Sequence, residues 1–162
     1  MSEYEYLEGK RTLIVDDEPD VLDGLEELLS MCEVTTASNF QDAKESLQTQ
    51  DFDITVLDIM GVEGYDLLEI AKKKGVPAVM LTAHALTPEN MVKSYKEGAA
   101  SYLPKEEMVN IASFLNEILE AKEKGTNTWS RWYDRMGSFF EKRFGKDWKK
   151  TDEEFCEKFP FY

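Results

Sequence analysis

The feature that most limits how this chain can fold is a repeat. Five times, a short apolar run is followed by a segment whose apolar residues recur at helical spacing. The runs are residues 12–15, 34–37, 53–58, 78–82 and 101–103, and they are rich in Val, Ile, Leu and Thr. Strands that alternate with helices call for a parallel sheet covered on both faces. Right-handed crossovers and the usual doubly wound arrangement then give a five-stranded (βα)5 sheet in the order 2-1-3-4-5.

The helical segments carry their own start and stop signals. Pro19 suits a first helical turn, and Val21, Leu22, Leu25, Leu28 and Leu29 follow it at helical spacing. Phe40, Ala43, Lys44 and Leu47 mark a weaker helix that Ser38 or Asn39 would start. Residues 65–74 carry Leu67, Leu68, Ile70 and Ala71, then stop at Gly75 with Pro77 beyond. Thr87-Pro88 opens a helix that runs to about Glu97. The last has Met108, Ile111, Ala112, Leu115, Ile118 and Leu119 on one face.

In that strand order, strands one and three lie side by side, so Asp16 and Asp17 meet Asp58 at the carboxyl edge of the sheet. Open α/β sheets place their ligand sites there. Thr82 and Lys105 arrive from strands four and five. Carboxylates gathered at one edge repel, so they need a cation or strongly shifted pKa values. A hard divalent ion with oxygen ligands is the economical answer, and Mg²⁺ suits a few carboxylates plus water. With such an ion a carboxylate nucleophile can form an acyl phosphate, Lys105 pairing with one phosphoryl oxygen and the Thr82 hydroxyl with another. Taken singly, Asp58, Asp16 and Asp17 read equally well as caps, Thr82 as a strand-end hydroxyl and Lys105 as a solvated lysine. Their joint register gives them meaning.

Across residues 9–122 the chain resembles the receiver domain of two-component response regulators, whose fold is flavodoxin-like. The acidic pair after strand one, the Asp ending strand three, Thr82-Ala83 and Tyr102-Leu103-Pro104-Lys105 occur in the family's order. The resemblance implies that Asp58 is the phosphoacceptor and Asp17 a direct Mg²⁺ ligand (Mn²⁺ substituting). It makes Asp16 a ligand through water and the Met60 backbone carbonyl a third protein ligand. Thr82 and Tyr102 match the switch pair and Lys105 the invariant lysine. Met60 and His84 match positions that set how fast the phosphoryl group is lost. Two departures stand out. Val62 occupies the usual proline position, and the matching glycine, Gly64, comes early, so this loop is about two residues short. A proline also precedes Lys105 instead of following it.

Charge and aromatic residues divide the chain near residue 125. Residues 1–124 carry a net charge of −15, against +1 for residues 125–162. The overall −14 argues against a nucleic-acid partner. No signal peptide or long apolar run is present, which points to the cytoplasm. Cys32 and Cys156 fit no metal spacing and read as reduced thiols. The segment 126–162 is expected to be a helical extension. Trp129, Trp132, Tyr133, Met136, Phe139, Phe140 and Phe144 form an amphipathic stripe, and Thr151 to Glu154 reads as a capping box for a second short helix. Such a stripe requires cover. It could pack on its own receiver domain, dimerise or dock a partner. Mixed charge on the polar face disfavours a membrane helix, and the length disfavours a DNA-binding output domain.

The leading expectation is a response regulator that takes a phosphoryl group from a sensor histidine kinase or phosphotransfer protein onto Asp58. It would act on a downstream protein, or dimerise, through the helix four–strand five–helix five face or the tail. It would be an acceptor with self-dephosphorylation, not a turnover enzyme. The rival is a phosphorylation-independent adaptor working through its aromatic tail. A flavin or nucleotide binder is disfavoured, since acids stand where a glycine-rich phosphate loop would follow strand one.

Overall fold

The computed structural model describes residues 3–83 and 87–145. Its core is a parallel sheet of five strands: β1 (Arg11–Val15), β2 (Glu33–Ala37), β3 (Ile54–Asp58), β4 (Ala78–Thr82) and β5 (Ser101–Pro104). Their order is β2-β1-β3-β4-β5, the doubly wound arrangement expected of the repeat. Central β3 and β4 are buried along their whole length, as strands covered on both faces must be. Edge strand β2 buries only Ala37.

Between the strands run α1 (Pro19–Leu28), α2 (Phe40–Thr49), α3 (Gly64–Lys73), α4 (Pro88–Lys96) and α5 (Ile111–Lys124). Leu22, Leu25 and Leu29 of the first stripe are buried against the sheet. Asn39 caps α2 by accepting the Asp42 N–H, and the Thr87 hydroxyl caps α4 by accepting that of Asn90. Gly75 closes α3 with φ +74°, a conformation that favours glycine.

Several boundaries move by a residue or more. Asp53 stands outside β3 because its carboxylate takes the Arg11 backbone N–H at 2.9 Å. Pro104 joins β5, opposite Thr82. Met108 lies in a 3-10 turn, Lys105–Asn110, ahead of α5. Leu7, near the N-terminus, is fully buried in the core. Cys32 is half-buried and unbridged; Cys156 lies outside the described residues.

Beyond α5, Gly125 turns the chain at φ +69° into α6 (Thr128–Phe144). Trp129, Trp132, Met136 and Phe140 are buried in the same core as the sheet, and Phe139 and Phe144 are half-buried against it. The aromatic stripe therefore packs on its own domain. Trp148 and the capping box at Thr151 lie outside the described residues.

Candidate functional site

Sheet order and register bring the acidic residues together. β1 and β3 are neighbours with Val15 opposite Leu57, so Asp16 and Asp58, each one residue further on, meet at the carboxyl edge. Asp16 is fully buried and Asp58 is 4% exposed, whereas Asp17 and Glu18 face solvent. Thr82 is buried at the end of β4, one residue beyond the partner of Asp58. Lys105 follows β5 directly. Its Nζ stands 2.9 Å from Asp16 Oδ2, 3.0 Å from Glu18 Oε1 and 3.5 Å from Asp58 Oδ1. One ammonium thus links three strands' ends.

The electrostatics follow from that crowding. Burial, then the charge of Asp16, raise the Asp58 carboxyl to about 7, with Asp17 adding to the effect and Lys105 opposing it. Burial also raises Asp16, although the Glu18 backbone N–H (2.9 Å to Oδ1) and Lys105 pull the other way. For Lys105 burial works against the charge, but hydrogen bonds to Asp16 and Glu18 and the charge of Asp58 outweigh it and hold the ammonium above the ordinary lysine range. The site is short of positive charge.

The residues fit a hard divalent cation. Carboxylate oxygens of Asp16, Asp17 and Glu18 lie within 4.8 Å of one another. Asp16 Oδ2 is buried and, apart from the Lys105 ion pair, has no hydrogen-bond partner. A buried carboxylate oxygen in that position is ready to accept a metal or its water.

The shortened loop after Asp58 is wound tightly against these carboxylates. Gly61 has φ +84°, and a Cβ there would lie 2.5 Å from Asp17 Oδ2. Glu63 takes the left-handed conformation at φ 53°, a costly one for a residue with a side chain. At Gly64 a Cβ would meet the Asp58 backbone oxygen at 2.2 Å, so only glycine fits. Val62, at the proline position, is 1% exposed and fills the loop from inside. Met60 is largely exposed beside it. The structure thus joins Asp16 and Asp58 through Lys105, clusters Asp17 with Asp16 and Glu18, and buries Thr82 at the end of β4. His84 lies outside the described residues.

Tyr102 sits apart from this cluster. It is fully buried in β5, with the Thr87 backbone at its hydroxyl, and burial raises its pKa. Glu18 is not among the site residues expected from the sequence, yet its carboxylate holds Lys105. Its position directly after the acidic pair was the available signal.

Comparison with known proteins bears on the same stretch. The response regulator receiver domain family matches residues 12–117. The two-component response regulator ARR12 of Arabidopsis thaliana is 35% identical over 130 residues, covering 74% of this chain and 22% of that protein. ARR10 of the same plant is 37% identical over 130 residues, covering 74% of this chain and 23% of that protein. The chain thus spans less than a quarter of the length of these relatives. Among solved structures, a CheY-like receiver domain from Methanospirillum hungatei JF-1 superposes with a TM-score of 0.66 at 30% identity, covering 72% of this chain and 98% of that one. Among the described residues no helix is long and apolar enough to cross a membrane.

Proposed function

Because this chain belongs to the response regulator receiver domain family, we propose that it is a phosphorylation-dependent signalling switch whose phosphoacceptor is Asp58. The observation that carries this reading is the reach of Lys105, one ammonium within 3.5 Å of two buried carboxylates, Asp58 and Asp16. The donor would be a phosphohistidine of a sensor kinase or phosphotransfer protein, met in the cytoplasm. An Asp58 carboxylate oxygen attacks phosphorus, the P–N bond breaks, and the imidazole leaves with the electron pair. The product is an acyl phosphate on Asp58.

Asp16, Asp17, Asp58 and the Met60 carbonyl would hold Mg²⁺, or Mn²⁺ in its place. When bound, that ion supplies the positive charge that keeps Asp58 ionised and offsets charge on the phosphoryl oxygens. Lys105 serves the same end from β5. It must shift from Glu18 and Asp16 toward the incoming phosphoryl oxygen, so Glu18 acts as its resting partner. The Thr82 hydroxyl, on the β4 wall, donates to a second oxygen, and Tyr102 reports that movement to the β5 face. Met60 would border the phosphoryl group and set how fast water removes it, a role that the family resemblance also gives to His84.

Incubation with acetyl phosphate and Mg²⁺, followed by intact-mass measurement, tests the assignment. One phosphoryl adduct is expected on the wild type and none on Asp58→Asn. An unmodified wild type, or equal modification of the variant, would overturn it in favour of a phosphorylation-independent adaptor. The shortened loop after Asp58, where any side chain at Gly61 would run into the Asp17 carboxylate, is what supports that second reading.

A further inference from the structure

The helix beyond the family match has a specific seat. β5 is the outer strand of the sheet, and an uncovered edge strand invites pairing with another chain. Here α6 lies along it. The Thr128 hydroxyl donates to the Ala100 carbonyl at 2.8 Å, the Trp129 indole N–H to that of Ala99 at 2.9 Å, and the Trp132 indole N–H to that of Tyr102 at 2.6 Å. The rings continue the contact. Trp129 meets Tyr95 of α4 edge-on at 5.2 Å between centroids, and Phe140 lies 5.3 Å from Trp132 and 6.0 Å from Tyr102. Arg143 reaches Glu106, in the turn after β5, at 2.6 Å.

Tyr102 stands between the two centres of the molecule. Its hydroxyl meets the Thr87 backbone, at the start of α4, and its ring packs on Phe140. With Tyr102 fully buried, its side chain has no free path outward. To leave the Thr87 backbone, the ring must break its packing on Phe140.

We propose that α6 is a ligand held in cis on the β5 face, and that its docking is coupled through Tyr102 to the state of Asp58. Docked α6 favours the inward Tyr102. By linkage, whatever draws Tyr102 inward at the site tightens α6 on β5 by the same factor. A partner that uses the Tyr95–Tyr102 surface, including a second copy of this chain, must displace α6 first. The trigger rests on the phosphoacceptor reading; the seat of α6 does not.

Hydrogen exchange with and without saturating beryllofluoride and Mg²⁺ tests this, with uptake at the site read separately by ¹⁹F NMR. Coupling of ordinary size, about 5-fold or more, predicts that α6 amides exchange at least that much more slowly in the loaded protein. Reciprocally, Phe140→Ala is expected to weaken beryllofluoride binding about 5-fold or more. If that variant does not fold, Trp132→Phe keeps most of the ring and removes the donor to Tyr102, with a smaller loss in the same direction. Uptake with unchanged α6 exchange would overturn the coupling alone, as would a folded variant that binds as tightly as the wild type. No uptake by the wild type would overturn the phosphoacceptor reading and its trigger together.

Discussion

The carboxyl edge of the sheet and the face under α6 are opposite kinds of interior. At the edge, Asp16 and Asp58 are buried beside each other with one ammonium between them, and the loop backbone after Asp58 has room only for glycine at Gly64. Under α6, Trp129, Trp132, Met136 and Phe140 are buried, and both indole N–H groups have carbonyl partners. One region is arranged against stability and the other for it. Such a division suits the switch proposed above, in which the edge changes state and the α6 face reads the change. Neutralising a buried carboxylate at the edge and truncating a buried ring under α6 should therefore change stability in opposite directions.

The largest effect is expected under α6. Trp132 is 2% exposed and contacts Trp129, Phe140 and the Tyr102 carbonyl. Trp132→Ala removes that packing and leaves the carbonyl without its donor, so urea unfolding should show a loss of about 3–5 kcal/mol. A loss below about 1 kcal/mol would mean that α6 contributes little to the fold.

At the edge the sign reverses. Asp58 has a pKa raised from 3.8 to about 7 in the folded protein. A carboxyl whose folded pKa lies above its unfolded value lowers stability as pH rises between the two, and the full penalty is present above about 7. Asp58→Asn removes it. The variant should be more stable than the wild type at neutral pH, by up to about 4 kcal/mol, and the difference should vanish near pH 4. Denaturation series at both pH values check this. A variant less stable at pH 7 would show that Lys105 more than compensates the buried charge.

The loop gives a smaller loss inside the same region. Gly64 begins α3 with ordinary helical geometry, but a Cβ there meets the Asp58 backbone oxygen at 2.2 Å and the Ile59 Cα at 2.9 Å. Backbone cannot rotate away as a side chain can. Gly64→Ala should cost about 1–3 kcal/mol and shift the Asp58 carboxylate, lowering Mg²⁺ affinity as well. Unchanged Mg²⁺ binding in a destabilised variant would separate the loop's folding role from its site role.

How much of this was legible in the sequence depends on how local the signal was. The strand–helix repeat and its order could be read because each element has its own periodicity and punctuation, as at Pro19, Gly75 and Thr87-Pro88. The convergence of Asp16, Asp17, Asp58 and Lys105 followed once strand order was assumed. Two things could not be read. Glu18 as the partner of Lys105 depends on a side-chain direction that spacing does not encode. The seat of α6 depends on tertiary geometry: an amphipathic stripe shows that a face must be covered, not by what. The Trp132 bond to the Tyr102 carbonyl, which ties the extension to β5, has no sequence signature at all.

The smallest effect separates rings from charges in holding α6. Arg143 and Glu106 form a 2.6 Å ion pair with their side chains 45% and 51% exposed. Exposed pairs of this kind contribute about 0.2–1 kcal/mol, because solvent screens them and two long side chains lose freedom. Arg143→Ala should therefore change stability by less than about 1 kcal/mol, and the change should fade as salt is raised. Slow exchange of the α6 amides should persist in that variant, since the buried rings remain. A larger, salt-sensitive loss would mean that the far end of α6 is fastened by charge, and would shift the seat of the helix from β5 toward the turn that follows it.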